Sequence, residues 1–288
     1  MRSFLLACAF FSLAPLARAQ GGCQILLELQ DVKYDTAHPQ QVLDFFHPTP
    51  AAADPAPVIV WLSGGYTGLQ PPTPDPCQVA MYSTLLQRGF ALVLPDLRPS
   101  TAYPFPAQVF DCARAVQTVK QRAVAWNIDP QRVFLMGRSN GGAISASVAY
   151  GFDLQGVFGS DPVSMQSSRP AAVYLGSAPS NFFAIDGAFP GTYFGQPTLA
   201  DVSPNSLMLG SPVWWLTALP GVPVPTYLVY KGAIGTPPLA DVHDAWCGLD
   251  YGIALLSRGA TLGFQYFPSG IDGTNFDAVA TWFLTLFP

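Results

Sequence analysis

Short apolar runs recur along the chain, each bounded by Gly, Pro or polar residues: Val58–Leu62, Phe90–Leu94, Val133–Met136, Leu154–Phe158, Thr226–Tyr230 and Thr261–Phe267. Runs of this length are too short for core helices and predict strands, and the unbroken ones, such as Val58–Leu62, predict burial on both faces. Before them, Gln24–Tyr34 and Gln41–His47 alternate apolar and polar positions around a Pro-containing turn, which predicts an antiparallel hairpin. Helical periodicity fills the intervals: Val79–Gln87, stopped by Arg88-Gly89, then an amphipathic Pro106–Trp126, a small-residue Asn140–Tyr150 and a closing Phe276–Leu286. Strands alternating with helices define an α/β class with a mostly parallel central sheet, helices on both faces and a hairpin at its start.

The alternation breaks between Pro162 and Pro225. That stretch holds Phe182, Phe183, Phe189, Tyr193, Phe194, Trp214 and Trp215 among many Pro and Gly. It reads either as a cap-like insertion (162–225) giving an active site an aromatic wall, or as an insertion that packs its aromatics into a core of its own.

The strongest chemical signal follows the run Val133–Met136. Gly137-Arg138-Ser139-Asn140-Gly141 is a G-x-S-x-G pattern, with a predicted strand before it and a predicted helix after it. A serine on so sharp a strand-to-helix turn has strained backbone geometry, so its neighbours must be small, and Gly137 and Gly141 meet that need. Gly142 lets the helix pack closely. The turn lifts the Ser139 hydroxyl above the sheet and aims the Asn140 N–H at the same space.

The N-terminus sets the context. Met1-Arg2, an apolar block from Phe4 to Leu16 and Ala17-Arg18-Ala19 predict an export leader over residues 1–19, cleaved before Gln20. The destination would be extracellular or periplasmic, with 20–288 as a single domain. The leader is too short to span a membrane, and no later run reaches that length. The net charge of −5 becomes −7 once Arg2 and Arg18 leave. Charged residues make up 11% of the chain, against roughly a quarter in ordinary domains, and they form no basic patch, which argues against a nucleic-acid partner. A small-molecule ester or an apolar ligand suits such a surface. Cys23, Cys77, Cys112 and Cys247 remain after cleavage of the leader that holds Cys8, an even number that predicts two disulfides of unassigned pairing. Their spacing does not resemble a zinc site, and no metal, nucleotide or flavin signature is present, so no cofactor is expected.

Several stretches resemble the α/β-hydrolase superfamily, nearest to its bacterial carboxylesterase and hormone-sensitive-lipase-like branch. Val58–Gly68 is similar to that family's strand and oxyanion loop, with Leu62 where its histidine stands and Ser63 at its first glycine. Leu94-Pro-Asp96-Leu-Arg98, on through Tyr103–Pro106 to Asp111, is similar to its following loop and helix. Trp126–Pro130 is similar to its approach to the elbow, and Leu43–Pro48 to an early strand. The resemblance implies ester hydrolysis by a serine, histidine and acid. It also implies an oxyanion hole built from the backbone of Asn140, Gly64 and Gly65, with Tyr66 either lining the acyl side or packed away.

The expected base and acid are missing from their usual places. Gly235 stands where the family's acid would follow the penultimate strand, and Asp272 where its histidine would follow the last. Of three histidines, His38 and His47 lie in the hairpin region and read as surface or structural residues. His243, in Ala240–Trp246, is the one within reach of Ser139 if its loop folds inward. Its orienting carboxylate would be Asp161, with Asp241 as a local alternative. Three readings follow: an esterase with a relocated triad of Ser139, His243 and Asp161; a degenerate hydrolase acting as a binding module for a small molecule or protein; or a weak enzyme with Asp272 or water as a poor base.

Overall fold

Buried strands with side chains alternating between two faces must feed two separate cores, and β3 (Ala56–Leu62) does so. Its Val58, Val60 and Leu62 enter one apolar layer, while Ile59 and Trp61 enter the other. The computed structural model describes residues 29–66, 68 and 74–287. The expected leader, Cys8, Cys23 and the start of the predicted hairpin lie outside these residues. No helix among the described residues is long and apolar enough to cross a membrane.

In chain order the elements are β1 (Leu29–Lys33), β2 (Val42–Phe46), β3, α1 (Pro76–Gln87), β4 (Ala91–Pro95), α2 (Ala107–Gln121), β5 (Ile128–Arg138) and α3 (Asn140–Tyr150). Then come β6 (Val173–Gly176), α4 (Pro204–Gly210), α5 (Pro212–Ala218), β7 (Thr226–Lys231), α6 (Ala245–Ser257), β8 (Leu262–Phe267) and α7 (Phe276–Leu286). They form one eight-stranded sheet in the order β1-β2-β4-β3-β5-β6-β7-β8. β1–β2 and β2–β4 pair antiparallel, and the other neighbours pair in parallel. Helices α2, α3 and α6 cover one face, through Val116, Ile144 and Tyr251 among others. Helices α1 and α7 cover the other, where Phe283 stacks on Phe134 at 4.7 Å. Each such fully buried apolar side chain contributes about 1.5–3 kcal/mol.

Three expectations are corrected. Leu154–Phe158 is not a strand: Gly156 turns there with φ 73, Val157 and Phe158 are exposed, and the segment is tied down as a loop by Asp153 accepting from Ser167 and Ser168. The strand beside β5 is instead β6, four residues buried throughout, which lies inside the stretch expected to be an insertion. Residues 177–225 are therefore the part that departs from the alternation. Its Phe182, Tyr193 and Phe194 pack on one another and on Phe105, continuous with the core under α2 and α3, while Phe183 is exposed. Finally, the two expected disulfides do not form among the described residues, where Cys77, Cys112 and Cys247 are all free. Cys112 and Cys247 are buried in the core on α2 and α6, and burial pushes both thiols up, that of Cys247 to about 11. Cys77 is exposed on α1.

The central crossing of β5, α3 and the β3 loop is tight enough that only glycine fits. A Cβ on Gly141 would lie 2.4 Å from the Ser63 carbonyl oxygen and 2.5 Å from that of Leu62. One on Gly137 would lie 2.3 Å from the Gly141 carbonyl oxygen. Because the obstructing atoms are backbone, a methyl group cannot be absorbed by a rotamer change. Gly141→Ala is expected to destabilise the protein by about 2–3 kcal/mol, the upper range for overpacking, and calorimetric unfolding should show its Tm several degrees lower.

Candidate active site

Ser139 joins β5 to α3 with φ 55 and ψ −128, a conformation that costs a non-glycine residue about 1–3 kcal/mol. The surroundings hold it there. Its N–H donates to the Gly176 carbonyl at the end of β6 (2.9 Å), and its own carbonyl accepts from Ala143 N–H in the first turn of α3 (3.1 Å). The serine side chain is thereby presented at the C-terminal edge of the sheet.

The loop after β3 closes on it from one side. A Cβ on Gly64 would lie 3.0 Å from Ser139 Cβ and 3.5 Å from its Oγ, so the Gly64 backbone sits directly beside the nucleophile. Gly65 has φ +97, a left-handed conformation favouring glycine even though nothing crowds its missing side chain. Asn140 opens α3, so its N–H belongs to the first turn, whose donors have no acceptor within the helix. The Asn140 side chain also holds the loop, since its Nδ2 donates to the Gly65 carbonyl at 3.0 Å and lies 3.3 Å from Gln108 Oε1. Ser100 Oγ donates to that same Gln108 oxygen, and Gln108 Nε2 donates to the Arg98 carbonyl. Arg98 in turn is paired with buried Asp111 at 2.8 Å, and Gln41 Nε2 also donates to Asp111. This polar chain runs from the start of β2 to the loop after β3 and braces it. A small cleft opens along the loop between Ser63–Gly65, Leu97, Gln108 and Ile144. Tyr66 is half-buried and packs against the core, and burial pushes its hydroxyl pKa up.

From the other side comes His243. Its Nε2 lies 2.7 Å from Ser139 Oγ, and its Nδ1 lies 3.0 Å from Asp241 Oδ1. A carboxylate can only accept, so Nδ1 carries the hydrogen and the Nε2 lone pair faces the serine hydroxyl. Asp241 Oδ1 also accepts the His243 backbone N–H at 2.9 Å, so acid and base share one tight turn. The flanking residues anchor that turn. Val242 and Leu239 are buried, and Leu239 exchanges backbone hydrogen bonds with Ala184 and Asp186 of the segment 177–225. Asp244 caps α6 and accepts from Gly235 N–H. The histidine and Asp241 side chains keep 43% and 66% of their exposure, so water screens this pair more than it would a buried one.

The expected acid is corrected. Asp161 does not serve His243; it accepts from Arg114 and Ser164, and these bonds, that from Ser164 first, hold its carboxyl far below the usual range. Its candidacy depends on the strand expected at Leu154–Phe158, and with that strand absent its loop has no reason to lie beside the elbow. His38 packs edge-on against Tyr103, and His47 against Phe45, as structural residues do. Gly235 could not have held an acid without rearrangement, since a Cβ there would lie 2.3 Å from Asp244 Oδ2. Asp272 lies near Arg138 and Lys231. Asp241, the local alternative in the sequence, is the carboxylate that meets the ring, and the Asp-x-His spacing explains it by letting a side chain bond the backbone two residues on.

An eight-stranded sheet of this order, with a strained serine between its fifth strand and the next helix, defines a protein of the α/β-hydrolase class. Within that class the chain belongs to the BD-FAE family, which matches residues 43–227. No curated protein matches it. Among solved structures it is similar to a truncated carbohydrate esterase from gut microbiota, with TM-score 0.74 and 19% identity over 90% of this chain and 95% of that one. It is similar also to an acetyl ester-xyloside bifunctional hydrolase from Caldicellulosiruptor lactoaceticus, with TM-score 0.68 and 20% identity over 85% and 88%. A third is a propionate-bound esterase from the planctomycete Thermogutta terrifontis, with TM-score 0.62 and 18% identity over 88% and 90%. At these identities the likeness establishes the fold.

The contact of Gly64 with Ser139 yields a test of the site independent of any substrate assignment. Gly64→Ala should fold, because Gly64 has no positive φ and the nearest neighbours of the added Cβ, Ser139 Cβ at 3.0 Å and the Arg138 carbonyl oxygen at 3.3 Å, need give only slightly. Its Ser139 should nevertheless react with a fluorophosphonate probe about 10²-fold more slowly than wild type, the scale of loss when reacting groups are displaced by about 1 Å.

Proposed function

We propose that this protein is an exported carboxylic-ester hydrolase that works through Ser139, His243 and Asp241. The observation behind this reading is the 2.7 Å contact between Ser139 Oγ and His243 Nε2, with a carboxylate on the far side of the ring. Ser139 Oγ attacks the ester carbonyl carbon as Nε2 takes its proton, and Asp241 steadies the imidazolium. The carbonyl oxygen becomes the oxyanion and receives the N–H of Asn140 and one from the Gly64–Gly65 backbone. Such donors contribute most at the transition state, where charge has developed. Collapse expels the alcohol, which leaves with the proton from Nε2. Water, deprotonated by the same nitrogen, then attacks the acyl-serine, releasing the acid and restoring Ser139.

The substrate class we assign is short-chain acyl esters of carbohydrates. The similar structures are described as carbohydrate and acetyl-ester hydrolases, and one holds propionate. Export suits such polymers, and residues 1–19 have the leader pattern that export requires.

Purified protein lacking the leader should hydrolyse p-nitrophenyl acetate, with kcat reduced at least about 10³-fold in Ser139→Ala and His243→Ala. Asp241→Asn should fall roughly 10²-fold, less than the ~10⁴-fold of buried triads, because this carboxylate is already screened by water. Asp161→Asn should leave kcat as in wild type. Turnover by wild type no faster than by Ser139→Ala would sink the enzyme reading and favour a binding module.

A further inference from the structure

Across the elbow from His243, three charged side chains meet at the C-terminal ends of the strands. Arg138 immediately precedes the nucleophile, Lys231 ends β7, and Asp272 comes from the loop between β8 and α7. Together with Tyr174, Gly176 and Ser177 they line a small pocket. Gly176, one of its lining residues, accepts the Ser139 backbone N–H through its carbonyl, and Arg138 is the residue before Ser139, so the pocket lies one residue from the elbow.

The charges there are not arranged as a structural lock. Asp272 Oδ2 lies 3.6 Å from an Arg138 Nη2 and 3.9 Å from Lys231 Nζ, both beyond hydrogen-bonding range. The structural pair of this chain, Arg98 with Asp111, closes to 2.8 Å and is bonded at several atoms. The other oxygen of Asp272 is held by Thr274 through its N–H and Oγ1. Burial would raise the Asp272 carboxyl, but the Thr274 bonds and then the charges of Arg138 and Lys231 bring it below its usual range, so it stays ionised. Two cations therefore face one carboxylate, leaving one positive charge unbalanced in a chain whose net charge is −5. Both cations retain hydrogen-bonding capacity toward the pocket. Ser177 in the pocket wall has φ 44, the second strained non-glycine residue beside the nucleophile, and such strain persists where surroundings over-determine a functional shape.

We propose that this pocket is a subsite for a carboxylate borne by the ester substrate, received by Arg138 and Lys231, with Asp272 opposing an anion and so setting how strongly one is preferred. The proposal rests on the esterase reading and narrows its substrates to esters with an acidic group near the scissile bond. That group belongs either to the acyl part, as in a dicarboxylic half-ester, or to the alcohol part, as in an ester of an acidic sugar.

Two substrate pairs distinguish these sources: p-nitrophenyl hydrogen succinate against p-nitrophenyl butyrate, and 4-acetoxybenzoate against phenyl acetate. One pair should show a preference in kcat/KM for the anionic member, and which pair does so names the side. Lys231→Met should cut that charged-to-neutral ratio roughly 1.5- to 5-fold, the range for partly exposed charge contacts, and Asp272→Asn should raise it. Added salt should shrink it. A merely structural cluster would move both variants' ratios in the same direction or not at all. Turnover of the neutral esters with no anionic preference in either pair overturns the subsite and leaves the esterase reading intact. If no ester is turned over, the esterase reading fails. The subsite is then decided by NMR titration of the Ser139→Ala protein with monomethyl succinate and methyl butyrate, equal binding of the two overturning it.

Discussion

The strained turn at Ser139 is the constraint around which the rest of the molecule is arranged. A serine at φ 55 relaxes unless both flanking elements are fixed, and here β5 is fixed by pairing with β3 on one side and β6 on the other. The conformation leaves no volume nearby. Gly137 and Gly141 touch backbone, Gly142 meets Ala178, and Gly64 meets the serine itself. The free energy of strain is small beside the apolar burial of β5, whose Val133–Met136 segment enters both cores. The same close packing brings the β3 loop to Ser139, so the elbow and the close approach of the Gly64 backbone are consequences of one crossing.

The imidazole that meets Ser139 is held by packing of its own. His243 arrives on the loop after β7, and that loop is supported from elsewhere in the chain. The support comes from the segment 177–225. Its aromatics are spent on packing, with Phe182, Tyr193 and Phe194 joined to the main core, and its Ala184–Asp186 stretch pairs with Leu239 four residues before the histidine. The segment therefore anchors the loop that carries His243. Asp241 needs no such help, because its oxygen is fixed by the backbone of the histidine it orients.

The two positions where the resemblance placed an acid and a histidine are used otherwise here. At Gly235 the Asp244 carboxylate lies where a side chain would begin. At Asp272 an ionised carboxylate stands near Arg138 and Lys231.

The sequence by itself determined what depends on local pattern. Runs such as Val58–Leu62 and Val133–Met136 had to be doubly buried parallel strands, the glycines around Ser139 required an elbow, and Phe276–Leu286 required a closing helix; each is present. Local pattern also offered His243, because a loop after β7 opens onto the same sheet edge as the serine. It misjudged Leu154–Phe158 and β6 because two short apolar runs separated by a polar loop look alike until one finds a place between β5 and β7. The error carried over to Asp161, whose role depended on that strand. It also read paired thiols from an even count, which says nothing of whether Cys112 and Cys247 point into a core. The choice of Asp241 as the partner of His243, the anchoring of their loop and the meeting of Arg138 with Lys231 and Asp272 were decided only by tertiary structure. Each joins residues far apart in the chain, or chooses between neighbouring carboxylates by direction, and direction is set by packing.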